Sequence, residues 1–132
     1  MPRNLVGFEV RVATSAPIED VVAQVAAALG CTFREGRVEQ VPSMIGEVLG
    51  LSISIQPWRG LGDRPILRFR GRVLDPRWVE GADLEEPRFH STDISAYVAD
   101  LLSLTTAFVW YLPSDEERKA ERDFGARLDD AY

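Results

Sequence analysis

Apolar and polar residues alternate in three stretches of the chain, and this pattern predicts three half-buried β-strands. The stretches are residues 7–12, 51–56 and 66–74. In the first, the apolar set is expected to face a core and the charged set to face away: Phe8, Val10 and Val12 against Glu9 and Arg11. The other two flank a Gly- and Pro-containing loop at residues 57–65, so we expect them to pair as an antiparallel hairpin.

Helical spacing of apolar residues predicts two amphipathic helices. The first begins after Ser15 and Pro17 and ends at Gly30, a residue that suits a helix C-terminus. The second follows three residues that could cap its first turn: Ser91, Thr92 and Asp93. Its expected buried stripe consists of Ile94, Tyr97, Val98, Leu101 and Leu102.

Three further segments have weaker patterns. Residues 31–34 and 37–41 flank Glu35-Gly36 and predict a small hairpin, while residues 44–50 fit either a helical turn or the lead-in to a strand. The continuous apolar run at 108–112, ended by Pro113, predicts a largely buried strand. A short charged helix is expected over 115–124, with Ser114 and Glu117 at the spacing of a capping box.

The order of these elements predicts an α+β fold. We expect a two-layer sandwich, with a mixed, mostly antiparallel sheet and two amphipathic helices on one face. The predicted organisation is a single domain over residues 1–113, followed at 114–132 by the short charged helix and a frayed tail.

Composition narrows the class of protein. The net charge of −6 argues against non-specific nucleic-acid binding, which requires cationic groups for the phosphates. No apolar run approaches the roughly 20 residues of a membrane helix, and the start MPRNLVGFEV lacks the pattern of a signal peptide. We therefore expect a cytoplasmic protein that binds neither nucleic acid nor membrane.

Candidate catalytic groups are few. The one cysteine excludes an internal disulfide, and the one histidine excludes a multi-histidine metal site within this chain. His90 lies beside Ser91 and Asp93, but a catalytic triad is defined by geometry rather than adjacency, and the latter two are expected as helix caps. Cys31 is expected to be a small buried hydrophobe, although a Cys31–His90 dyad stays open. The prediction is a protein that is not an enzyme and has no metal or cofactor.

Two groups of residues suit partner binding. The first is an irregular acidic segment at 75–88 with tryptophans nearby, a combination typical of protein interfaces: Trp58, Trp78, Glu80, Asp83, Glu85 and Glu86. The second is an arginine row on the outer sheet face: Arg68, Arg70 and Arg72. The alternatives are core or edge packing of the tryptophans, and cross-strand pairing of the arginines with Glu9 or Glu47.

Three segments carry a resemblance: APIEDVVAQVAAALGCTF, LGLSISIQPWRG and STDISAYVADLLSLTTAFVWYLPSDEE. Together they resemble small actinobacterial proteins, some of which are similar to immunity proteins of bacterial polymorphic toxin and contact-dependent inhibition systems. This resemblance implies a protein that masks a cognate basic toxin, with acidic groups steering association. The alternatives are a non-catalytic structural or regulatory domain that self-associates as a homodimer through the outer sheet face, and a small-molecule-binding domain or enzyme with a pocket between sheet and helices.

Overall fold

The computed structural model of the protein describes residues 3–59, 65–74 and 89–130. Within those ranges the chain forms seven strands and three helices. In chain order they are β1 (Arg3–Ala13), α1 (Ile18–Leu29), β2 (Phe33–Val38), β3 (Val41–Val48), β4 (Leu51–Arg59), β5 (Pro65–Val73), β6 (Phe89–Asp93), α2 (Ser95–Thr105), β7 (Trp110–Tyr111) and α3 (Asp115–Asp130). The α+β prediction is confirmed.

The strands form one mixed sheet in the order β2-β3-β4-β5-β1-β6. All neighbours are antiparallel except β1 and β6, which are parallel over residues 3–7 of β1. Strand β7 pairs with β1 antiparallel at Arg11 and Val12, farther along the same strand. The predicted hairpin of residues 51–56 and 66–74 is confirmed as β4 and β5, paired from Leu51 opposite Val73 to Arg59 opposite Pro65.

The hydrophobic core lies between one face of the sheet and helices α1 and α2. It consists of alternate residues from β1, β4 and β5, covered by the buried sides of the helices: Phe8, Val10, Val12, Leu51, Ile53, Ile55, Leu67, Phe69, Val21, Val22, Val25, Val98, Ala99 and Leu102. Phe69 lies at its centre and meets the rings of Phe8 and Trp110 edge to face. Gly71 stands opposite Phe8, and a Cβ there would lie 2.4 Å from the Phe8 ring, so only glycine leaves room for it.

The first helix forms as its pattern predicts. Helix α1 buries Val21, Val22 and Val25, and it ends at Gly30, whose φ of 66° lies in the left-handed region that favours glycine. Pro17 occupies the N-cap position.

The hairpin between α1 and the central strands differs from the prediction. Glu35 and Gly36 lie inside β2, and the turn falls at Glu39-Gln40, both with positive φ. Residues 44–50 resolve into the end of β3 and a second tight turn at Leu49-Gly50, again with positive φ at both positions. Neither turn carries the Asn-Gly or Asp-Gly sequence that usually signals this conformation, which explains why the pattern misplaced the first.

The three residues predicted to cap α2, Ser91, Thr92 and Asp93, lie in β6, and Ile94 holds the N-cap position; only Asp93 among them bonds to the first turn of the helix. Its Oδ1 accepts hydrogen bonds from the backbone N–H of Ser95, at 2.8 Å, and from the Ser95 hydroxyl. Ser95 Oγ in turn accepts from the Glu9 backbone N–H at 2.9 Å. That N–H lies on β1 between the stretches paired with β6 and β7, so Ser95 bonds to the sheet where neither strand reaches.

Two apolar predictions need correction. Helix α2 buries Ser95, Val98, Ala99 and Leu102, whereas Tyr97 is exposed and Leu101 is only partly buried. The run at 108–112 is not a largely buried strand, since Val109 and Leu112 are exposed and only Trp110 and Tyr111 form β7. The Trp110 indole N–H donates to Thr106 Oγ1 at 3.2 Å, which ties this segment to the end of α2.

Helix α3 is longer than predicted, extending to Asp130 rather than ending near 124, so the tail expected to fray from 128 is helical to that residue. The Ser114 hydroxyl accepts a hydrogen bond from the Glu117 N–H at 3.1 Å, as expected for the first half of a capping box. Two carboxylates of α3, those of Glu117 and Glu121, form ion pairs with Arg11, whose side chain lies on the sheet face opposite α1 and α2.

Candidate functional site on the polar face of the sheet

The face of the sheet opposite α1 and α2, here called the polar face, carries most of the unusual chemistry of the described chain. Strand pairing aligns the residues of this face in three rows across β1, β5 and β4. The rows are Arg11, Arg68 and Gln56, then Glu9, Arg70 and Ser54, then Gly7, Arg72 and Ser52. Sequence alternation predicted this outward set. It did not predict that part of the set is buried.

Arg11 is the most deeply buried charge on this face, with a side chain 2% exposed. Its guanidinium bonds both carboxylate oxygens of Glu121 from α3, with 2.8 Å between Nη2 and Oε2. It also lies 3.3 Å from Glu9 and 3.7 Å from Glu117. The contact with Glu121 is a bidentate arginine–carboxylate pair, and it attaches α3 to the sheet.

Arg68, directly opposite Arg11, lies in a second buried cluster. Its guanidinium stacks on Trp58 with 3.6 Å between Cζ and the ring centroid. In the amide orientation that satisfies both neighbours, the Gln56 side-chain oxygen accepts a hydrogen bond from Arg68 Nε at 3.2 Å. The Gln56 side-chain nitrogen donates one to Ser43 Oγ at 3.1 Å. Gln56, Ser43 and Arg68 are all buried, so the polar face has a packed polar layer of its own.

Two polar atoms of this layer lack a hydrogen-bond partner among the described residues: Arg11 Nε and Trp58 Nε1, both shielded from solvent. The indole N–H lies close enough to Glu121 to help lower the pKa of that carboxyl, but its geometry is not that of a hydrogen bond. Buried donors without partners cost free energy, so the layer under α3 is not fully satisfied.

Glu39, which lies in the β2–β3 turn, bridges Arg68 and Arg70. Its Oε2 lies 3.5 Å from Arg68 and its Oε1 lies 3.4 Å from Arg70. Glu39 is more than half exposed and sits at a φ of 52°, so this carboxylate reaches the arginine row from a strained turn. The third arginine of the row, Arg72, is exposed and has no ion pair within the described ranges.

Beside Arg70 and Arg72 the polar face forms an open groove of about 330 Å³. Its floor consists of Ser52 and Ser54 with the two arginines, and Ile45 and Leu74 are among its apolar walls. The groove is on the side of the sheet away from α1 and α2, so it is not the pocket between sheet and helices that the sequence left open.

Burial and charge shift the acid–base behaviour of this face. Burial lowers the pKa of Arg68, and the neighbouring Arg70 lowers it further. Burial raises the pKa of Glu121, but hydrogen bonds and charge from Arg11 outweigh it, so the net pKa is lowered. Arg70 holds the pKa of Glu39 below its usual value. The cations therefore stabilise the ionised carboxylates that contact them.

The predicted pairing of the arginine row is present in part. Arg68 lies 3.8 Å from Glu9, as expected for cross-strand pairing. Glu39 rather than Glu47 pairs with both Arg68 and Arg70, because the turn at 39–40 brings Glu39 within reach of β5. Trp58 lies against the Arg11 and Arg68 guanidinium groups of the sheet, an arrangement that fits the alternative of packing rather than partner binding for this tryptophan.

The acidic half of the predicted interface cannot be placed. Trp78, Glu80, Asp83, Glu85 and Glu86 lie outside the described residues, so their role stays a prediction. Among the sequence candidates for chemistry, Cys31 is partly buried against the core, and burial raises the pKa of its thiol. The backbone of His90 lies in β6 opposite Asn4. No cluster of three or more metal-ligating side chains occurs among the residues described.

Sequence reasoning missed the contributions of Gln56, Ser43 and Glu121 to the polar face. No local pattern marked any of the three as part of a site. A usable signal was present in α3, where Glu117 and Glu121 stand four residues apart and therefore share one helix face. What they would pair with depends on a long-range contact that no local pattern specifies.

A second candidate surface lies on the solvent side of α2. Tyr97, Leu101 and Leu104 recur at intervals of four and three residues, so they form one stripe. Tyr97 is 66% exposed and Leu104 is 85% exposed, and exposed Val109 follows the helix. The helix thus has one apolar side in the core and another facing solvent.

Searches with this chain found no matching protein-family model, no matching curated protein and no matching solved structure. In the part of the chain described, no helix is both long and apolar enough to cross a membrane.

Proposed function

We propose that this protein is a cytoplasmic binding protein of the immunity type, which neutralises a cognate basic bacterial toxin by covering it. The class of partner comes from the resemblance of three sequence segments to small actinobacterial proteins, some of which are similar to immunity proteins. The observation that carries the proposal is the exposed apolar stripe of α2, because clustered exposed apolar and aromatic side chains mark protein interfaces.

The charge around the stripe favours a basic partner. Helix α2 contains no Lys or Arg, and its one charged residue, Asp100, is exposed beside the stripe. The whole chain is acidic, with a net charge of −6. The acidic chain would attract a basic protein, and no cation on α2 would oppose its approach while its apolar groups bury Tyr97 and Leu104.

The test is co-expression with the product of the adjacent reading frame, followed by purification of the complex and calorimetry. Tyr97→Ala and Leu104→Ala are each expected to weaken binding by roughly 30-fold, the size of a hot-spot residue. Leu49→Ala is the matched control, since Leu49 is an exposed leucine in the β3–β4 turn rather than on α2. A complex that tolerates both α2 variants would remove this stripe from the interface.

A growth assay separates masking from mere association. Cells that express the adjacent gene product should be protected by the wild type and by Leu49→Ala, but not by Leu104→Ala. Neutralising Asp83, Glu85 and Glu86 together is expected to slow association without changing stability, because rim charges act mainly through steering. Absence of any toxicity from the neighbouring product would contradict the proposal.

A further inference from the structure

The groove beside Arg70 and Arg72 combines three features of a site for a small anion. Its floor is a two-by-two arrangement in which Arg70 lies opposite Ser54 and Arg72 lies opposite Ser52 on the neighbouring strand. Guanidinium groups and hydroxyls together supply the donors that carboxylate and phosphate oxygens require. Its volume of about 330 Å³ is at the small end of ligand sites.

The positive charge of the floor is only partly neutralised. Arg70 is paired with Glu39 at 3.4 Å, while Arg72 has no ion pair within the described part of the protein. The next arginine in the row, Arg68, divides its contacts between Glu9 and Glu39. Among the described residues, an incoming anion would therefore meet one guanidinium without an ion pair and a second paired with a half-exposed carboxylate.

Glu39 shows where an oxyanion binds on this row. Its two oxygens are placed on two successive arginines, each at about 3.5 Å or less. It comes from the tip of a hairpin at positive φ, and it is the most exposed of the carboxylates that contact these arginines. An external carboxylate or phosphate that reaches Arg70 would replace this internal one.

We propose that the groove lined by Ser52, Ser54, Arg70 and Arg72 binds a small oxyanion, a carboxylate or a phosphate, attached to a compact apolar group. The oxyanion takes the two guanidinium groups and the serine hydroxyls. The apolar group lies against Ile45 and Leu74. Glu39 is an internal competitor for the Arg70 end of the site. The groove lies on the opposite side of the sheet from α2, so this proposal is independent of toxin binding.

The experiment is a nuclear magnetic resonance titration of the full chain with phenyl phosphate, phenylacetate and inorganic phosphate at low salt. Phenyl phosphate or phenylacetate is expected to shift the amide signals of β4 and β5 saturably and to bind more tightly than inorganic phosphate. The better of the two ring-bearing probes identifies the preferred oxyanion. Binding should weaken as salt is raised, because the contact is charge-assisted.

Three variants make the proposal falsifiable. Arg72→Gln should weaken binding at least about tenfold, the effect of losing a hydrogen bond to a charged group. Glu39→Gln should strengthen it several-fold by removing the competing carboxylate. Arg122→Gln, the same charge change at an exposed site on α3, should leave it within about twofold.

The opposite effects of Arg72→Gln and Glu39→Gln cannot both arise from general destabilisation. Absence of saturable binding by any probe would overturn the proposal, and so would an equal loss of affinity in Arg72→Gln and Arg122→Gln. Weaker binding in Glu39→Gln would show that this carboxylate does not occupy the site.

Discussion

Three non-glycine residues of the described chain adopt positive φ, and all three lie in the two tight hairpin turns. They are Glu39, Gln40 and Leu49, with φ between 50° and 65°. Side chains with a Cβ are disfavoured there by contact with the backbone, and Asn or Gly is preferred. The chain retains this strain where Glu39 bridges two arginines and where Leu49 is almost fully exposed.

Replacing Leu49 by asparagine tests the strain directly. Leu49→Asn would create the Asn-Gly sequence preferred in a turn with positive φ at both positions, so we expect stability to rise by about 0.5–1 kcal/mol. Leu49→Val is the control, because a β-branched residue is worse at positive φ and should lower stability. Both are measured by urea unfolding. A loss of stability in Leu49→Asn would mean that the leucine makes a stabilising contact despite its exposure.

At the scale of the element, α2 shows how a helix with two apolar sides misleads a sequence pattern. Five apolar positions from Ile94 to Leu102 suggested one stripe, but the sheet takes only the side that carries Val98, Ala99 and Leu102. Ser95 lies on the same buried side and accepts a hydrogen bond from the Glu9 backbone of β1, whereas Tyr97 is exposed and Leu101 is only partly buried. The orientation of the helix on the sheet, which the spacing does not specify, separates the two sets.

The free energy of unfolding should separate the two sides of this helix. Leu102→Ala is expected to cost about 2–5 kcal/mol, because Leu102 is fully buried in the core. Leu101→Ala, the matched control one residue away, should cost clearly less because its side chain is only partly buried. Equilibrium unfolding of both variants measures the difference. An equal loss would place Leu101 in the core after all.

Helix α3 differs from the other two helices in how it is held. Among the described side chains, its ion pairs with the sheet are those of Glu117 and Glu121 with Arg11. A buried arginine that loses its carboxylate must be left unsatisfied or must regain water. If α3 detached, water would reach the guanidinium, so the cost of breaking the pair cannot exceed the cost of detaching α3.

Two matched variants test this attachment. Glu121→Gln should destabilise the protein by about 1–3 kcal/mol, because it removes the two-oxygen partner of a buried guanidinium. Glu117→Gln, the same change at a carboxylate that is 47% exposed, should cost less than about 1 kcal/mol. Unfolding measurements give both values, and faster amide exchange in α3 of Glu121→Gln would show detachment. Equal effects would mean that the helix is held by something other than the Arg11 pair.

For the whole molecule, acid should loosen the structure through three carboxylates. Hydrogen bonds from the Ser95 hydroxyl and backbone lower the pKa of Asp93, and contacts with arginines lower those of Glu39 and Glu121. Each carboxyl binds protons less readily when folded than when unfolded. Its stabilisation is therefore complete above the unfolded value and is lost as pH falls through the lower folded value.

These groups should leave the urea midpoint of unfolding nearly unchanged between pH 7 and pH 5. The midpoint should then decrease as the pH falls below the pKa values of the unfolded carboxyls, 3.8 for Asp93 and 4.5 for Glu39 and Glu121. Asp93→Asn should be less stable than the wild type at pH 7 and should approach it at low pH. A midpoint that rises on acidification would reverse the sign and show that the three carboxyls are not held ionised by the fold.

Much of the fold could be predicted because local physics decided it. The β4–β5 hairpin follows from alternation on two strands, α1 from its apolar stripe and terminal glycine, and the start of α3 from the Ser114 cap. The β2–β3 turn was misplaced because its conformation runs against the preference of Glu39 and Gln40. The candidate site was predicted only as an outward arginine row, since the contacts that define it join distant segments.

The sequence by itself determined the α+β class and which residues of each central strand share a face, because these depend on side-chain spacing and on the pleat of the strand. Tertiary structure decided the burial of the second sheet face. Arg11 is one of the most buried side chains, and its bidentate partner Glu121 comes from α3, more than 100 residues later in the chain. Alternation shows the direction of a side chain, but the elements packed above it decide whether that side chain meets water.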